Sequence, residues 1–249
     1  MAAGRWRVAW VTGASTGIGR EIALQLAAQG VKVAASARNA ERLAGLGAGI
    51  RAYPVDVTNV RNVAAVAEAI ETDLGPIDLA IFAAGVYRPA AMQPFDPQNF
   101  HATMATNYFG VINGLAALLP KMLARKHGHI AWIASVAGYR GLPKAAAYGP
   151  TKAALINLAE SLKPELSALG LDVSVINPGF VRTPLTEQND FEMPFLMEAD
   201  EAARLTLRGL AKKKFEIAYP LAFVTILKIT RLLPYAVFFR LIRRFVLKA

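Results

Sequence analysis

The sequence predicts one α/β domain built on a doubly wound parallel sheet with helices on both faces. Short apolar, β-branched runs alternate with longer helix-like stretches along the 249 residues. The runs are continuously apolar, which is typical of parallel strands buried on both faces. Alternation of strands and helices favours right-handed crossovers, and the chain is long enough to bury a sizeable core.

Seven strands and five helical stretches follow one another in order. We expect strands at Val8–Thr12, Val31–Ala37, Arg51–Val55, Leu79–Ala83, His129–Ala134, Val173–Asn177 and Phe215–Ala218. Helices are expected at Ile18–Gln29 and around 60–73, 97–125, 149–168 and 199–213. No linker or internal repeat interrupts this order, so residues 1–219 are expected to form the main domain and residues 220–249 an extension.

Composition excludes several kinds of site. The chain has no cysteine and only three scattered histidines, so neither a disulfide nor a metal site is expected. Arg5 and Arg7 interrupt the apolar N-terminus, which argues against a signal peptide and for a cytoplasmic protein. Of the net charge of +10, residues 212–249 carry +8, from nine Lys and Arg against one Glu.

A glycine-rich turn follows the first strand. Gly13, Gly17 and Gly19 in TGASTGIG lie where the strand must turn sharply and a helix must begin. Glycine lets the backbone approach a pyrophosphate closely, and a helix N-terminus offers free N–H groups to it. In the first strand–helix unit of a doubly wound pattern, this turn predicts a dinucleotide site.

The spacing Gly-x-x-x-Gly-x-Gly resembles that of the short-chain dehydrogenase/reductase family. The resemblance continues in order with Asp56, Asn107 in NYFG, Ser135, YGPTK at 148–152 and NPGFVRT at 177–183. These landmarks cover about 170 residues. The family implies a Rossmann-like fold and a dinucleotide-binding catalytic domain.

Tyr148 and Lys152 are four residues apart at the start of a predicted helix, so they lie on one face. A tyrosine pKa of about 10 is high for acid–base chemistry at neutral pH. We expect the nearby ammonium to stabilise tyrosinate and to lower the Tyr148 pKa. Pro150 fits the first helical turn and so places Tyr148 at the helix entrance.

The resemblance assigns roles to these residues. Tyr148 would donate a proton to a carbonyl oxygen as hydride arrives, and Ser135 would hydrogen-bond that oxygen. Lys152 would bind the nicotinamide ribose, and Asn107 would position a water between Lys152 and solvent. The implied cofactor contacts are Gly13, Ser15, Thr16, Gly17, Ile18, Gly19, Arg38, Asp56, Val57, Ala84, Gly85, Tyr148, Lys152, Pro178, Gly179, Val181 and Thr183.

The end of the second strand favours NADP(H) over NAD(H). An acidic residue there holds the ribose 2′-OH of NAD, but this chain has Ala37 and Arg38, with no carboxylate before Glu41. A guanidinium can hold a 2′-phosphate in a bidentate manner. One departure from the family is FAAG at 82–85, where Ala83 replaces an asparagine that usually stabilises this turn.

A lid over the substrate is expected at about 184–198. Phe191, Met193, Phe195, Leu196 and Met197 supply apolar, adaptable side chains there, and no Lys or Arg lies between Arg182 and Arg204. These five residues either pack the lid on the domain or face the substrate. In the second case the substrate is a lipid, a steroid-like ketone or a long-chain carbonyl compound.

Residues 220–249 are both apolar and basic. Their apolar runs are too short to span a bilayer. After Pro234 one helical face holds Tyr235, Phe238, Phe239, Ile242, Phe245 and Val246, and the other Arg240, Arg243, Arg244 and Lys248. This pattern favours peripheral contact with a membrane, over packing on the domain or a subunit contact.

The function expected from these observations is an NADP-dependent oxidoreductase that acts on a carbonyl or secondary alcohol of a hydrophobic substrate. A 3-oxoacyl-carrier-protein reductase is an alternative, although the C-terminal extension argues against it. A non-catalytic dinucleotide sensor or scaffold is another, and the intact Tyr148/Lys152 pair argues against that. We expect a homo-oligomer, and no nucleic-acid partner because the basic residues are confined to one terminus.

Overall fold

A seven-stranded parallel sheet forms the centre of the molecule, with strand order β3-β2-β1-β4-β5-β6-β7. The computed structural model describes residues 5–90, 92–245 and 247. The strands are β1 Val8–Thr12, β2 Lys32–Ser36, β3 Ile50–Ala52, β4 Leu79–Phe82, β5 His129–Ile133, β6 Asp172–Pro178 and β7 Glu216–Tyr219. This architecture confirms the predicted single-domain, Rossmann-like fold.

Helices cover both faces of the sheet. They are α1 Gly17–Ala28, α2 Ala40–Ala44, α3 Val60–Leu74, α4 Pro97–Met104, α5 Gly110–Arg125, α6 Gly149–Ala168, α7 Ala199–Ala211, α8 Leu221–Leu232 and α9 Tyr235–Phe245. Buried residues of α3, α5 and α6 form one apolar cluster with the sheet, and those of α1, α2 and α7 form a second.

The side-chain alternation of the strands divides the core between these clusters. In β1, Trp10 belongs to the first cluster and its neighbours Ala9 and Val11 to the second. Trp132 of β5 joins Trp10 in the first cluster, and both indoles are fully buried. Successive side chains point to opposite faces of a strand, so a sheet covered on both faces needs the continuous apolar runs seen in the sequence.

Two predicted elements differ in the structure. Strand β3 ends at Ala52 instead of Val55, although the amides of Tyr53 and Val55 still donate to the Ala35 carbonyl in β2 and the Ala37 carbonyl just after it. The helix predicted over 97–125 is interrupted by a π-helical segment at Ala105–Phe109. Helix α2, which the sequence analysis did not predict, is a single turn capped by Asn39.

The sheet has its topological switch point between β1 and β4, where the chain order reverses. Crevices outside the carboxyl ends of strands at such a point are the usual ligand sites of open α/β sheets. The glycine-rich turn after β1 and the Ala83–Gly85 turn after β4 meet there.

Helices α8 and α9 follow the last strand. Val224 of α8 is buried in the first cluster, with Phe223 and Leu227 packed against it, whereas Phe238 is the buried side chain of α9. Within residues 5–90, 92–245 and 247, no helix has the length and apolar character needed to cross a membrane. Val246 and Lys248, assigned above to the two faces of an amphipathic helix, lie outside the described residues.

Candidate active site

The turn after β1 packs so tightly against neighbouring backbone that only glycine fits at Gly13 and Gly19. Gly13 has a φ of +67°, and a Cβ there would lie 2.6 Å from the Ala84 nitrogen. A Cβ on Gly19 would lie 2.5 Å from the Gly13 carbonyl oxygen. The backbone of this turn is therefore bare and packed against the turn after β4, as close approach to a pyrophosphate requires.

Helix α1 begins with its amide groups free of a side-chain cap. Its N-cap residue, Thr16, makes no capping hydrogen bond with its side chain, and the first helical turn contains no acidic residue. The positive end of the helix therefore faces the cavity beside the turn, which suits a bound anion. Thr183, from the segment after β6, closes over this turn, since a Cβ on Gly17 would lie 2.8 Å from its Cγ2 atom.

One cavity of about 710 Å³ brings the predicted residues together. Ser135 lines this cavity, and so does every residue predicted to contact the cofactor. The predicted contacts are Gly13, Ser15, Thr16, Gly17, Ile18, Gly19, Arg38, Asp56, Val57, Ala84, Gly85, Tyr148, Lys152, Pro178, Gly179, Val181 and Thr183. The volume is in the range of small-molecule and cofactor sites. The glycine turn, the uncapped helix and the volume of this cavity fit a dinucleotide.

At the far end of the cavity, Arg38 is accompanied by Asn39 and Arg42. Arg42 was missed by the sequence analysis because helix α2, which carries it, is too short to give a periodic signal. The Asn39 side chain accepts a hydrogen bond from the Arg42 amide at 2.8 Å and so fixes this turn. Two arginines therefore line the cavity where the second strand stops.

Asp56 lies beside these arginines. Its Oδ1 atom accepts hydrogen bonds from the Thr58 amide at 2.9 Å and from the Thr58 hydroxyl at 2.7 Å. These bonds, and to a smaller extent the charge of Arg38, lower the Asp56 pKa below its ordinary value. The carboxylate is therefore ionised and oriented at neutral pH.

The turn at Ala83 is stabilised from a neighbouring strand. The Thr12 hydroxyl accepts hydrogen bonds from the Ala83 amide at 3.2 Å and from the Ala84 amide at 3.3 Å. Thr12 is buried at the end of β1. A side chain of the adjacent strand thus holds the turn that lacks the usual asparagine.

Tyr148 and Ser135 both line this cavity. Burial raises the Tyr148 pKa to about 12, and the neighbouring Ser135 hydroxyl works in the opposite direction. The expected lowering of the Tyr148 pKa is therefore reversed, because desolvation of the phenolate outweighs the hydrogen bond from Ser135. At neutral pH the tyrosine holds its proton.

Lys152 is buried one helical turn after Tyr148. Its Nζ atom donates to the Ile133 carbonyl at 2.8 Å and lies 5.3 Å from the centroid of the Tyr148 ring. Burial lowers the Lys152 pKa from 10.5 to about 7. The lysine therefore titrates near neutral pH, within reach of the proton donor.

Asn107 lies outside the cavity wall and supports it from behind. Its Oδ1 atom accepts a bond from the Val86 amide at 2.8 Å, and its Nδ2 atom donates to the Val86 carbonyl at 3.0 Å and the Thr151 hydroxyl at 3.1 Å. The π-helical segment places Asn107 in this position, and such segments occur frequently at functional sites. Asn107 thus ties the loop after β4 to the helix that carries Tyr148 and Lys152.

Tyr87 is a site residue that the sequence analysis missed. Its ring packs edge-on against the Tyr148 ring, with 5.3 Å between the centroids, and is nearly buried. Desolvation raises its pKa, as does the charge of Asp190 in the lid. A lone tyrosine in a loop gives no sequence signal for this contact.

The five lid residues predicted to face the substrate lie outside the cavity wall, although Leu185 and Thr186 of the same segment line it. Phe180 stacks on Phe223 of α8 with 5.5 Å between ring centroids, and Phe195 stacks on the same ring at 5.9 Å. Phe191 packs edge-on against Phe180 at 5.8 Å. An aromatic cluster therefore joins the lid, the segment after β6 and helix α8.

The other lid residues are held by the lid itself or by the core. Met193 accepts a hydrogen bond from the Asn189 amide group at its sulfur, and Leu196 is half-buried. Met197 forms a β-bridge with Val181 and packs against the cluster around α1 and α7, so it is not part of the proposed substrate surface. Lys144 forms an ion pair with Asp190 at 2.7 Å, which connects the lid to the loop before α6.

The sequence matches a known family over most of its length. The family profile described as short chain dehydrogenase covers residues 7–193. This chain belongs to the short-chain dehydrogenase/reductase family.

Two curated relatives illustrate its place in the family. An uncharacterised oxidoreductase of Myxococcus xanthus is 37% identical over 251 residues, which cover 98% of this chain and 99% of the relative. The 3-oxoacyl-[acyl-carrier-protein] reductase of Escherichia coli is 35% identical over 184 residues, 72% of this chain and 75% of the relative. The family relation makes the chain an oxidoreductase.

Solved family members superpose closely on this chain. A short chain dehydrogenase of Burkholderia cenocepacia in complex with NADP gives a TM-score of 0.83 at 28% identity, over 94% of this chain and 96% of its own. A short chain dehydrogenase/reductase of Burkholderia phymatum in complex with NAD gives 0.84 at 25% identity, over 92% and 94%. Nicotinamide dinucleotides of both kinds thus occur on this architecture.

Proposed function

We propose that this oxidoreductase transfers a hydride between NADP(H) and a carbonyl or secondary alcohol of a hydrophobic substrate. The observation that carries the proposal is the protonated Tyr148 beside Ser135 and Lys152, at one end of a cavity that fits a dinucleotide. A proton donor and a hydroxyl at that end are the groups that carbonyl reduction needs.

In the proposed reduction, a nicotinamide cofactor held by the residues of this cavity would supply the hydride for the carbonyl carbon. Tyr148 gives its phenolic proton to the carbonyl oxygen, so the product is a secondary alcohol. Ser135 donates a hydrogen bond to the same oxygen and orients it. Lys152, with a pKa of about 7, supplies the charge that stabilises the resulting tyrosinate.

The preference for NADP(H) rests on Arg38 and Arg42. Both line the cavity where β2 ends, and neither has a carboxylate partner among the ion pairs of the described residues. Two free guanidinium groups favour a 2′-phosphate over a 2′-hydroxyl.

A hydrophobic substrate is supported by the aromatic cluster next to the site. Phe191 and Phe195 are exposed large hydrophobic side chains in the lid, beside Phe180 and Phe223. Exposed aromatic residues around a catalytic cavity suit a lipid, a steroid-like ketone or a long-chain carbonyl compound.

A 3-oxoacyl-carrier-protein reductase is the second candidate, favoured by the likeness to the Escherichia coli enzyme of that name. The C-terminal extension of residues 220–249 argues against this second activity. A dinucleotide sensor without turnover is the remaining alternative, and it would bind the cofactor but reduce nothing.

We also place the proposed enzyme in the cytoplasm, as a homo-oligomer. In this proposal residues 1–219 form the main domain, and the extension of residues 220–249 holds it at the inner face of a membrane. The exposed apolar side chains of α8 and α9 support the membrane contact. Sedimentation of the purified protein at several concentrations tests the oligomer.

A matched series of substrates tests the proposed activity. Ketones of increasing chain length are offered with NADPH and with NADH, beside a 3-oxoacyl carrier protein. We expect kcat/KM with NADPH to rise with chain length for free ketones. Faster reduction of the carrier-bound group would favour the second candidate, and no reduction of any carbonyl would leave only the sensor.

A further inference from the structure

The outward face of α8 is apolar, which the sequence analysis did not predict. Its inner face consists of Phe223, Val224 and Leu227, which pack on the domain. On a helix of 3.6 residues per turn, the side facing solvent then carries Leu221, Ala222, Thr225, Ile226, Ile229 and Leu232. Leu221 is 76% exposed, Ile229 56% and Leu232 84%.

Thr225, the single polar residue of that face, has its hydroxyl already bonded. The hydroxyl donates to the Leu221 carbonyl at 2.8 Å, within the same helix. An exposed hydroxyl that bonds its own backbone does not need water as an acceptor. The outward face is therefore mainly apolar, with Lys228, which is paired with Glu216, at its border, and an exposed apolar surface of this kind marks an interaction site.

Arg140 fixes the helix in this orientation. Its guanidinium donates to the carbonyls of Thr230 and Leu233, the latter at 3.0 Å, and so satisfies the C-terminal end of α8. The same group lies 4.0 Å from the centre of the Phe238 ring in α9. The two helices are thus anchored to the loop after β5, and the apolar face does not turn inward.

The chain that forms α8 and α9 is basic, because Lys228, Arg231, Arg240, Arg243 and Arg244 lie in it and no acidic residue follows Glu216. Among the described residues, Arg231 of α8 and Arg240, Arg243 and Arg244 of α9 form no ion pair. An apolar surface with cationic neighbours is complementary to a bilayer with anionic headgroups. A second copy of the chain would bring these same cations together, which disfavours a symmetric contact.

Resting on the proposed function, we infer that the outward face of α8, defined by Leu221, Ala222, Ile226, Ile229 and Leu232, docks on an anionic lipid bilayer. The opposite side of the same helix reaches the active site. A Cβ on Gly179, in the cavity wall, would lie 2.9 Å from the Phe223 ring, and Phe223 also stacks on Phe195 of the lid. Docking therefore places the lid next to the lipid from which an apolar substrate is taken.

The test compares matched substitutions in the full-length protein. Ile229→Glu/Leu232→Glu places two carboxylates on the docking face, and Val60→Glu/Leu169→Glu places two at similarly exposed apolar positions elsewhere. Binding is measured by co-sedimentation with vesicles of phosphatidylcholine alone or with phosphatidylglycerol. We expect wild type and the control pair to bind the anionic vesicles, less strongly at high salt, and the docking-face pair to bind at least about tenfold more weakly.

Two results would overturn the inference. They are failure of wild type to bind anionic vesicles, and equal binding by wild type and the docking-face pair. If the docking-face pair binds equally but loses an oligomer that wild type forms, the face is assigned to a second copy. Reduction of the best free ketone of the chain-length series, in the absence of vesicles, is measured in parallel for all three proteins. An inactive wild type that still binds vesicles contradicts the proposed function alone.

Discussion

The catalytic pair buries an ionisable group, whereas the C-terminal helices expose both their charged and many of their apolar side chains. Lys152 is buried and Tyr148 is half-buried, and desolvation raises the Tyr148 pKa to about 12 and lowers the Lys152 pKa to about 7. In α8 and α9 the arginines are solvated and apolar side chains lie open to solvent. The buried lysine of the first region is hydrogen-bonded within the chain, whereas we propose that the apolar face of the second is covered by a lipid bilayer outside it.

The largest expected effect separates these regions. Tyr148→Phe removes the proton donor and keeps the ring, so we expect kcat for ketone reduction to fall about 10²- to 10⁴-fold. Vesicle binding should not change, because the substituted atom is far in sequence from α8 and inside the cavity. NADPH oxidation and co-sedimentation measure the two properties. Tyr235→Phe, an exposed change in α9, is the control, and near-normal reduction by Tyr148→Phe would exclude the mechanism.

The buried lysine predicts a pH dependence of stability. The folded state has a Lys152 pKa of about 7, below its ordinary value of 10.5. Between these values the unfolded chain binds more protons, so the free energy of unfolding gains up to about 1.4 kcal/mol per pH unit as the pH rises, and nothing from this group below pH 7. Urea unfolding of wild type and Lys152→Met at pH 7 and 9 measures the difference.

The contribution from this lysine should be absent in Lys152→Met. Lys32→Met removes an exposed lysine whose charge is solvated in both states and should keep the wild-type slope. Equal slopes for wild type and Lys152→Met would mean that Lys152 stays charged in the folded protein, and the two regions would then differ less than proposed.

The smallest expected effect concerns the exposed end of the cavity. Arg38→Asp replaces a phosphate ligand by a group suited to a ribose hydroxyl, so the ratio of kcat/KM for NADPH to that for NADH should fall about tenfold or more. Steady-state kinetics with both cofactors measures it. Arg61→Asp, which makes the same charge change on the exposed surface of α3, should leave the ratio unaltered. An unchanged ratio in Arg38→Asp would refute the NADP(H) assignment.

The sequence could predict the sheet and the catalytic edge because both depend on local patterns. Each of the seven strands is found close to its predicted position, and the residues from Gly13 to Thr183 predicted to contact the cofactor line one cavity. Strand periodicity, glycine at tight turns and the Tyr148–Lys152 spacing are all readable within a few residues.

What the sequence could not predict depends on solvent exposure and on packing between distant segments. Ile226, Ile229 and Leu232 look like core residues in a linear pattern, and only the packing of Phe223 and Val224 shows that they point outward. The Tyr148 pKa follows from burial rather than from its spacing to Lys152. The π-helical segment at Ala105–Phe109 likewise gives no signal of its own in the sequence.

The contact of Phe223 with the Gly179 backbone determines where the chain can be shortened. Removal of everything after residue 219 would take away a ring that supports the cavity wall, along with buried Val224. A truncated form for crystallisation should instead end in the turn at Leu233 and Pro234, which keeps α8 and the carbonyls held by Arg140. Such a form would separate the role of the α9 arginines from that of the enzyme's own scaffold.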